Sequence, residues 1–220
     1  MHIVIDGNIG SGKTTQLELL EQNGWSVKRE PLDEWPLDLF YKDMSRWALL
    51  LQMKILQTLR PVRDGVTVYE RCLLSTRHVF WEYLRTKKLV TPEEDSVYQN
   101  AYERYMWHPD VYIFLAKSPK TAYEHIQKRK QVGDSRVTLK YLEELHALYE
   151  KMLMNVPCKV HVVSTEGRTP AEVYAEVSTI LSRYTVKDKN GVYRHNSFRS
   201  QVSQRASVPC TQIANVCRLS

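Results

Sequence analysis

The chain has 220 residues, enough to bury one good core, and nothing in it marks a second complete domain. Its formal charge is +6, but residues 186–220 hold +5 of it (Lys187, Lys189, Arg194, Arg199, Arg205 and Arg218 against Asp188), so the body is nearly neutral and gives no support for a nucleic-acid partner. The four cysteines, Cys72, Cys158, Cys210 and Cys217, are far apart, with no C-x-x-C pair and no histidine at metal-ligand spacing, which reads as a reduced, intracellular protein.

A first strand is expected at His2–Asp6, starting too early for a signal or transit peptide, and no apolar stretch is long enough for a membrane span. The expected location is the cytoplasm, with no membrane partner. The strand breaks into "GNIGSGKTT", in which Gly7 to Thr14 fits G-x-x-x-x-G-K-[ST], and a helix should follow from about Lys13 to Gln22. Strand, glycine loop and helix N-terminus in that order form a cradle for nucleotide phosphates. The backbone from Gly7 through Asn8, Ile9, Gly10, Ser11 and Gly12 to Thr15 would wrap a triphosphate. Lys13 would reach its outer oxygens and Thr14 would ligate Mg²⁺, making ATP the expected donor.

The second strand, Trp25–Glu30, ends in "KREPLDEW", which puts Glu30 on the same rim as the phosphate loop. Next comes Arg46–Leu59, whose apolar residues surround a helix almost completely and predict burial on most sides. Within it Gln52 is the one group that needs hydrogen-bond partners, and its amide matches a pyrimidine edge. The third strand, Gly65–Glu70, runs into "YERCLLSTRHVF" and brings Glu70 and Arg71 to the rim, where a cation could hold both an acceptor hydroxyl and Glu30. A fourth strand is expected at Val111–Ala116 and a fifth at Lys159–Ser164. Helices open at Ser118-Pro119 (to about Arg129), at Thr138 and at Thr169-Pro170 (to about Tyr184). Between the first two of these, "KRKQVGDSRV" reads as a basic lid over about 128–137, with Lys128, Arg129 and Arg136 facing the transferring phosphoryl group. The alternation predicts an α/β fold with a five-stranded parallel sheet and helices on both faces, a P-loop NTPase-type three-layer sandwich over 1–185. Residues 186–220 are polar and basic without periodicity and read as a disordered tail; it ends in Cys217-Arg218-Leu219-Ser220, an imperfect outline of a prenylation box.

These pieces, with "FYKD" at 40–43, "WHPDVYIFLAKSP" at 107–119 and "SRVTLKYLEELHALYE" at 135–150, resemble the deoxynucleoside kinases over about residues 1–155. The resemblance implies that Glu30 deprotonates a 5′-hydroxyl, that Arg71 orients that hydroxyl and Glu30, and that Glu70 helps hold Mg²⁺ beside Thr14. It further implies that Gln52 reads the base, Phe80 stacks on it, Trp35 lines its pocket, and Tyr41 and Asp134 hold the 3′-hydroxyl. Leu59 and Thr76 stand where cytidine- and purine-preferring members carry an arginine and an aspartate, so thymidine is the expected substrate, with deoxycytidine also used. A homodimer is implied as well. The chain departs from the family at Cys72, in place of a serine, and at His125 and Gln131, in place of lid arginines. The alternatives are a thymidylate kinase, which typically has an acid in the glycine loop where Asn8 stands and Asp-Arg where Glu70-Arg71 stands, or a catalytically silent relative. The retained Lys13 and Glu30 argue against the second.

Overall fold

Alternation along the first strand sets the layering. In the computed structural model, which describes residues 1–62, 65–129 and 136–196, β1 (His2–Asp6) turns Val4 toward one face of the sheet and Ile3 and Ile5 toward the other. β1 pairs in parallel with β3 (Thr67–Glu70) and β4 (Val111–Ala116), with Ile3 level with Val68 and Val111. β2 (Val27–Lys28) and β5 (Lys159–Ser164) complete the order β2-β3-β1-β4-β5, all parallel. Burial of β1, β3 and β4 on both faces explains their continuous β-branched and aromatic character. The second strand is shorter than expected: only Val27 and Lys28 pair, with β3 at the sheet edge.

On the Ile3/Ile5 face lie α1 (Lys13–Gln22) and α9 (Pro170–Leu181), contributing Leu17, Leu20, Val173 and Val177 to the core. On the Val4 face lie α7 (Pro119–Arg129) and α8 (Leu139–Leu153), contributing Ala122, Ile126, Leu142, Leu145 and Tyr149. The result is a three-layer sandwich with two cores. Caps fix the helix starts: Thr138 accepts from the Tyr141 amide, and Thr169 with Glu172 forms a capping box behind Pro170.

A third cluster joins α2 (Leu37–Lys42), α3 (Met44–Thr58), α6 (Pro92–Tyr105) and a helical stretch made of α4 (Leu73–Ser75), a π turn (Thr76–Trp81) and α5 (Glu82–Thr86). Here burial differs from the sequence expectation. Ala48, Leu51, Gln52, Ile55 and Leu56 of α3 are buried, but Trp47, Leu49 and Met53 are only partly covered and Leu50 is 51% exposed. An apolar residue all round a helix therefore does not mean burial within this chain; one face meets the core and the other stays open. The sequence also missed α6, although Thr91-Pro92 with Glu94 is a legible capping box.

Regular structure continues past residue 185. β6 (Thr185–Lys187) and β7 (Tyr193–His195) form an antiparallel hairpin, and Tyr193 stacks on Trp25 with centroids 3.6 Å apart and planes 11° from parallel. Asp188 nucleates its turn by accepting from the amides of Asn190 and Val192. Short-range turn chemistry and one aromatic contact thus order a segment with no periodicity. The remaining tail residues, including Cys217, lie outside the described residues. Among the described residues no helix is long and apolar enough to cross a membrane.

Candidate active site

The carboxyl ends of β1, β2 and β3 open into one cleft of about 1060 Å³ including its mouth. Such a switch-point crevice is where open α/β sheets bind ligands. On one side stands the glycine loop. Gly7 has φ +153° and Gly10 has φ +81°; a Cβ would come within 2.6 Å of the Leu115 carbonyl at the first and 2.7 Å of the Ala122 carbonyl at the second. Both positions therefore require glycine, because the loop backbone lies directly against β4 and α7. Lys13 begins α1 and curls back, its ammonium donating to the carbonyls of Gly7 (3.1 Å) and Asn8 (3.0 Å). Burial, and next the nearby Arg71, lowers its pKa to about 8. The Asn8 amide donates to the Leu142 carbonyl and so ties the loop to α8.

At the ends of β2 and β3 sits the charged cluster. Arg71 Nη1 lies 2.6 Å from Glu30 Oε2, with both side chains buried. Burial raises the Glu30 pKa to about 7, opposed mainly by Arg71. Arg71 is a non-glycine residue in the left-handed region, φ +59°, which turns its side chain from the strand end back into the cleft. The Thr14 hydroxyl donates to Glu70 Oε1 at 3.0 Å. Those two groups offer hard oxygen ligands beside the phosphate loop, a donor set that fits Mg²⁺, which takes few protein ligands when phosphates supply the rest. No cluster of three or more metal-ligating side chains exists among the described residues.

The far end of the cleft is apolar. Leu51, Ile55, Phe80 and Leu84 line it, with Trp35 held by a bond from its indole N–H to the Thr58 hydroxyl at 2.9 Å. Gln52 is buried there, and its Oε1 has no hydrogen-bond partner. A buried amide oxygen without a partner, on a residue that lines the cleft, leaves a hydrogen bond that a ligand donor can supply. Tyr41 and Thr76 also line this end. Thr76 is uncharged and its hydroxyl turns back to the Cys72 carbonyl, while Leu59 is buried away from the cleft.

Of the residues singled out in the sequence, the cleft brings together Ile9, Gly10, Lys13, Thr14, Glu30, Trp35, Tyr41, Gln52, Glu70, Arg71, Phe80 and Arg129. Thr15 and Lys128 are exposed and are not among the residues lining it, Ser11 is buried with its hydroxyl unpartnered, and Asp134 lies outside the described residues. Sequence reasoning missed Asp6 and Tyr149, which contact Arg71 from behind. Asp6 was legible as the one acid in an apolar strand, whereas Tyr149 reads only as part of a helix's apolar face.

Residues 3–183 match the sequence model of the family described as deoxynucleoside kinase. The chain is 35% identical over 173 residues to human mitochondrial thymidine kinase 2, an alignment covering 69% of this chain and 64% of that protein. It is 31% identical to the putative kinase protein 029R of Invertebrate iridescent virus 3, covering 82% of this chain and 96% of that one. Among solved structures, a deoxyadenosine kinase from M. mycoides holding dCMP and dCDP superposes with a TM-score of 0.74 at 25% identity, covering 83% of this chain and 98% of the other. With the loop, the rim cluster and the sheet order all in place, the chain belongs to the deoxynucleoside kinase family of ATP-dependent enzymes.

Proposed function

We propose that the protein transfers the γ-phosphate of ATP to the 5′-hydroxyl of a deoxynucleoside, thymidine first and deoxycytidine as well, and so serves nucleotide salvage. The observation that carries the reading is the unsatisfied Gln52 oxygen in an apolar cavity at one end of a cleft whose other end is a phosphate loop. A nucleoside base bridges that gap in polarity: flat, apolar on its faces, and with donor and acceptor side by side on its edge. Uncharged Thr76 and the removal of Leu59 from the cleft leave no charged pair to favour a cytosine or a purine. That supports thymidine.

The base would lie between Gln52 and Phe80 with Trp35 closing the pocket, and Tyr41 would stand near the sugar's 3′-hydroxyl together with Asp134. The 5′-hydroxyl then points to the rim, where ionised Glu30 accepts its proton and Arg71 holds both groups in line. Lys13 gives up the carbonyls of Gly7 and Asn8 for the phosphate oxygens, joined by the loop amides and by Lys128 and Arg129 from the lid side. Thr14 and Glu70 would hold Mg²⁺, which neutralises charge on the transferring phosphoryl group when bound. A homodimer through the open faces of α3 and α6 is also proposed: the two helices pack on each other, and Leu50 and Val97 are each 51% exposed.

The test is to incubate the protein with ATP and Mg²⁺ and offer thymidine, deoxycytidine, deoxyadenosine, deoxyguanosine and thymidine monophosphate in parallel, resolving products by chromatography. Thymidine monophosphate formed from thymidine supports the reading. Phosphorylation of the monophosphate alone would make the protein a thymidylate kinase, and no reaction despite ATP binding would make it a silent relative.

A further inference from the structure

Asp6 closes β1 and is completely buried, yet its carboxylate is fully engaged. Oδ1 accepts from the Gly7 amide at 2.6 Å and from the Tyr149 hydroxyl at 3.0 Å, and Oδ2 accepts from the Tyr112 hydroxyl at 2.6 Å. A phenol has one proton. Because the Tyr149 hydroxyl donates its one hydrogen bond to Asp6, its lone pairs are left to face Arg71, whose Nε donates to that oxygen at 3.3 Å and lies 3.5 Å from Asp6 Oδ1. The same guanidinium donates through Nη2 to the Gly7 carbonyl at 3.3 Å and through Nη1 to Glu30 at 2.6 Å.

A guanidinium is a flat, rigid fork, so fixing Nε and Nη2 dictates where Nη1 points. Arg71 sits at φ +59°, a conformation that a non-glycine residue keeps only where its surroundings hold it. Core packing alone does not require the hydroxyl of Tyr149: the ring meets Phe80 and Phe114 at centroid distances of 6.3 and 5.4 Å, contacts that a phenylalanine would keep.

We propose that Tyr149, oriented by buried Asp6, is a positioning residue for Arg71, holding the guanidinium so that its Nη1 faces Glu30 and the acceptor hydroxyl. This rests on the deoxynucleoside kinase reading and deepens it. Tyr149 belongs to α8, which also holds Asn8 of the phosphate loop through the Leu142 carbonyl. One helix thereby sets the relative placement of the donor loop and the acceptor-site arginine.

The experiment is a kinetic double-mutant cycle on the full chain with ATP, Mg²⁺ and whichever deoxynucleoside the wild type uses best. Tyr149→Phe should lower kcat by about tenfold with KM for ATP within about twofold, because it loosens geometry at the acceptor and leaves the donor site alone. In an Arg71→Lys background, where Nε no longer exists, the same substitution should change kcat by less than about twofold. An unchanged kcat in Tyr149→Phe, or an equal loss in both backgrounds, would overturn the proposal, the second outcome indicating general structural weakening. If Tyr149→Phe does not fold, Tyr149→Met, which also lacks the hydroxyl, enters the same cycle, with non-additivity against Arg71→Lys expected and additivity overturning the idea. A wild type that phosphorylates no deoxynucleoside overturns the parent reading, whereas an active wild type indifferent to Tyr149→Phe overturns only this one.

Discussion

Arg71 Nη1 and Glu30 Oε2 meet at 2.6 Å in a buried pair that joins the ends of two adjacent parallel strands. Burying an ion pair seldom stabilises a fold over a well-packed apolar one, which accords with the proposed role of the pair in catalysis. Glu30→Gln keeps the shape and removes the proposed base. Turnover is expected to fall by roughly 10²–10⁴ while nucleotide affinity stays within a few-fold. Steady-state kinetics with a separate ATP-binding titration check it, and unchanged turnover would take Glu30 out of the mechanism.

In the proposed mechanism the same carboxylate sets the pH dependence. Glu30 accepts a proton only when ionised, and burial places its pKa at about 7, so kcat/KM for the nucleoside should fall as pH drops through that value. On the alkaline side, Lys13 loses its charge as pH rises through about 8 in the free enzyme. A bound triphosphate favours the ammonium, so the alkaline limb of kcat should lie above that of kcat/KM. For stability the sign runs the other way from an ordinary carboxylate. The folded-state pKa of Glu30 is raised, so its contribution is present at acid pH and lost as pH rises through about 7. Glu30→Gln should accordingly flatten the decline in stability between about pH 4.5 and 7, measurable by urea titration.

Gln52 offers a prediction in which binding and stability move in opposite directions. Its unpartnered buried oxygen costs the free protein about 1–3 kcal/mol of desolvation. Gln52→Leu should raise Tm while raising KM for the nucleoside by about tenfold or more, with KM for ATP unchanged. A lower Tm would mean that the amide is satisfied within the protein.

At Gly10 the backbone itself is the test. Gly10→Ala places a Cβ 2.7 Å from the Ala122 carbonyl at φ +81°, which should cost about 1–3 kcal/mol and displace α7 from the loop. Weaker ATP binding and a lower Tm are expected together.

The hairpin should behave as a stabiliser remote from chemistry. Tyr193→Ala removes the stack on Trp25, on the face of the sheet covered by α1 and α9, and should lower stability by about 1–2 kcal/mol with kcat and both KM values unchanged. A changed KM would give the C-terminal segment a place in the site.

By itself the sequence determined whatever depends on neighbours along the chain. Gly7 to Thr14 set the phosphate loop because its glycines and lysine act within one turn. Five strands alternating with helices set a parallel sheet because only crossover helices connect such strands. Thr138 and Thr169 marked their helices because capping reaches three residues. Only the tertiary structure decided how groups distant in sequence share one volume. It turned Arg71 toward Glu30 and backed it with Asp6 and Tyr149, which lie 65 and 78 positions away along the chain. It left half of α3 uncovered where hydrophobicity alone predicted burial, and it folded 185–195 onto Trp25. Apolar pattern records what a residue prefers, whereas burial, φ at a strand end and the facing of two side chains depend on which surfaces the rest of the chain brings to them.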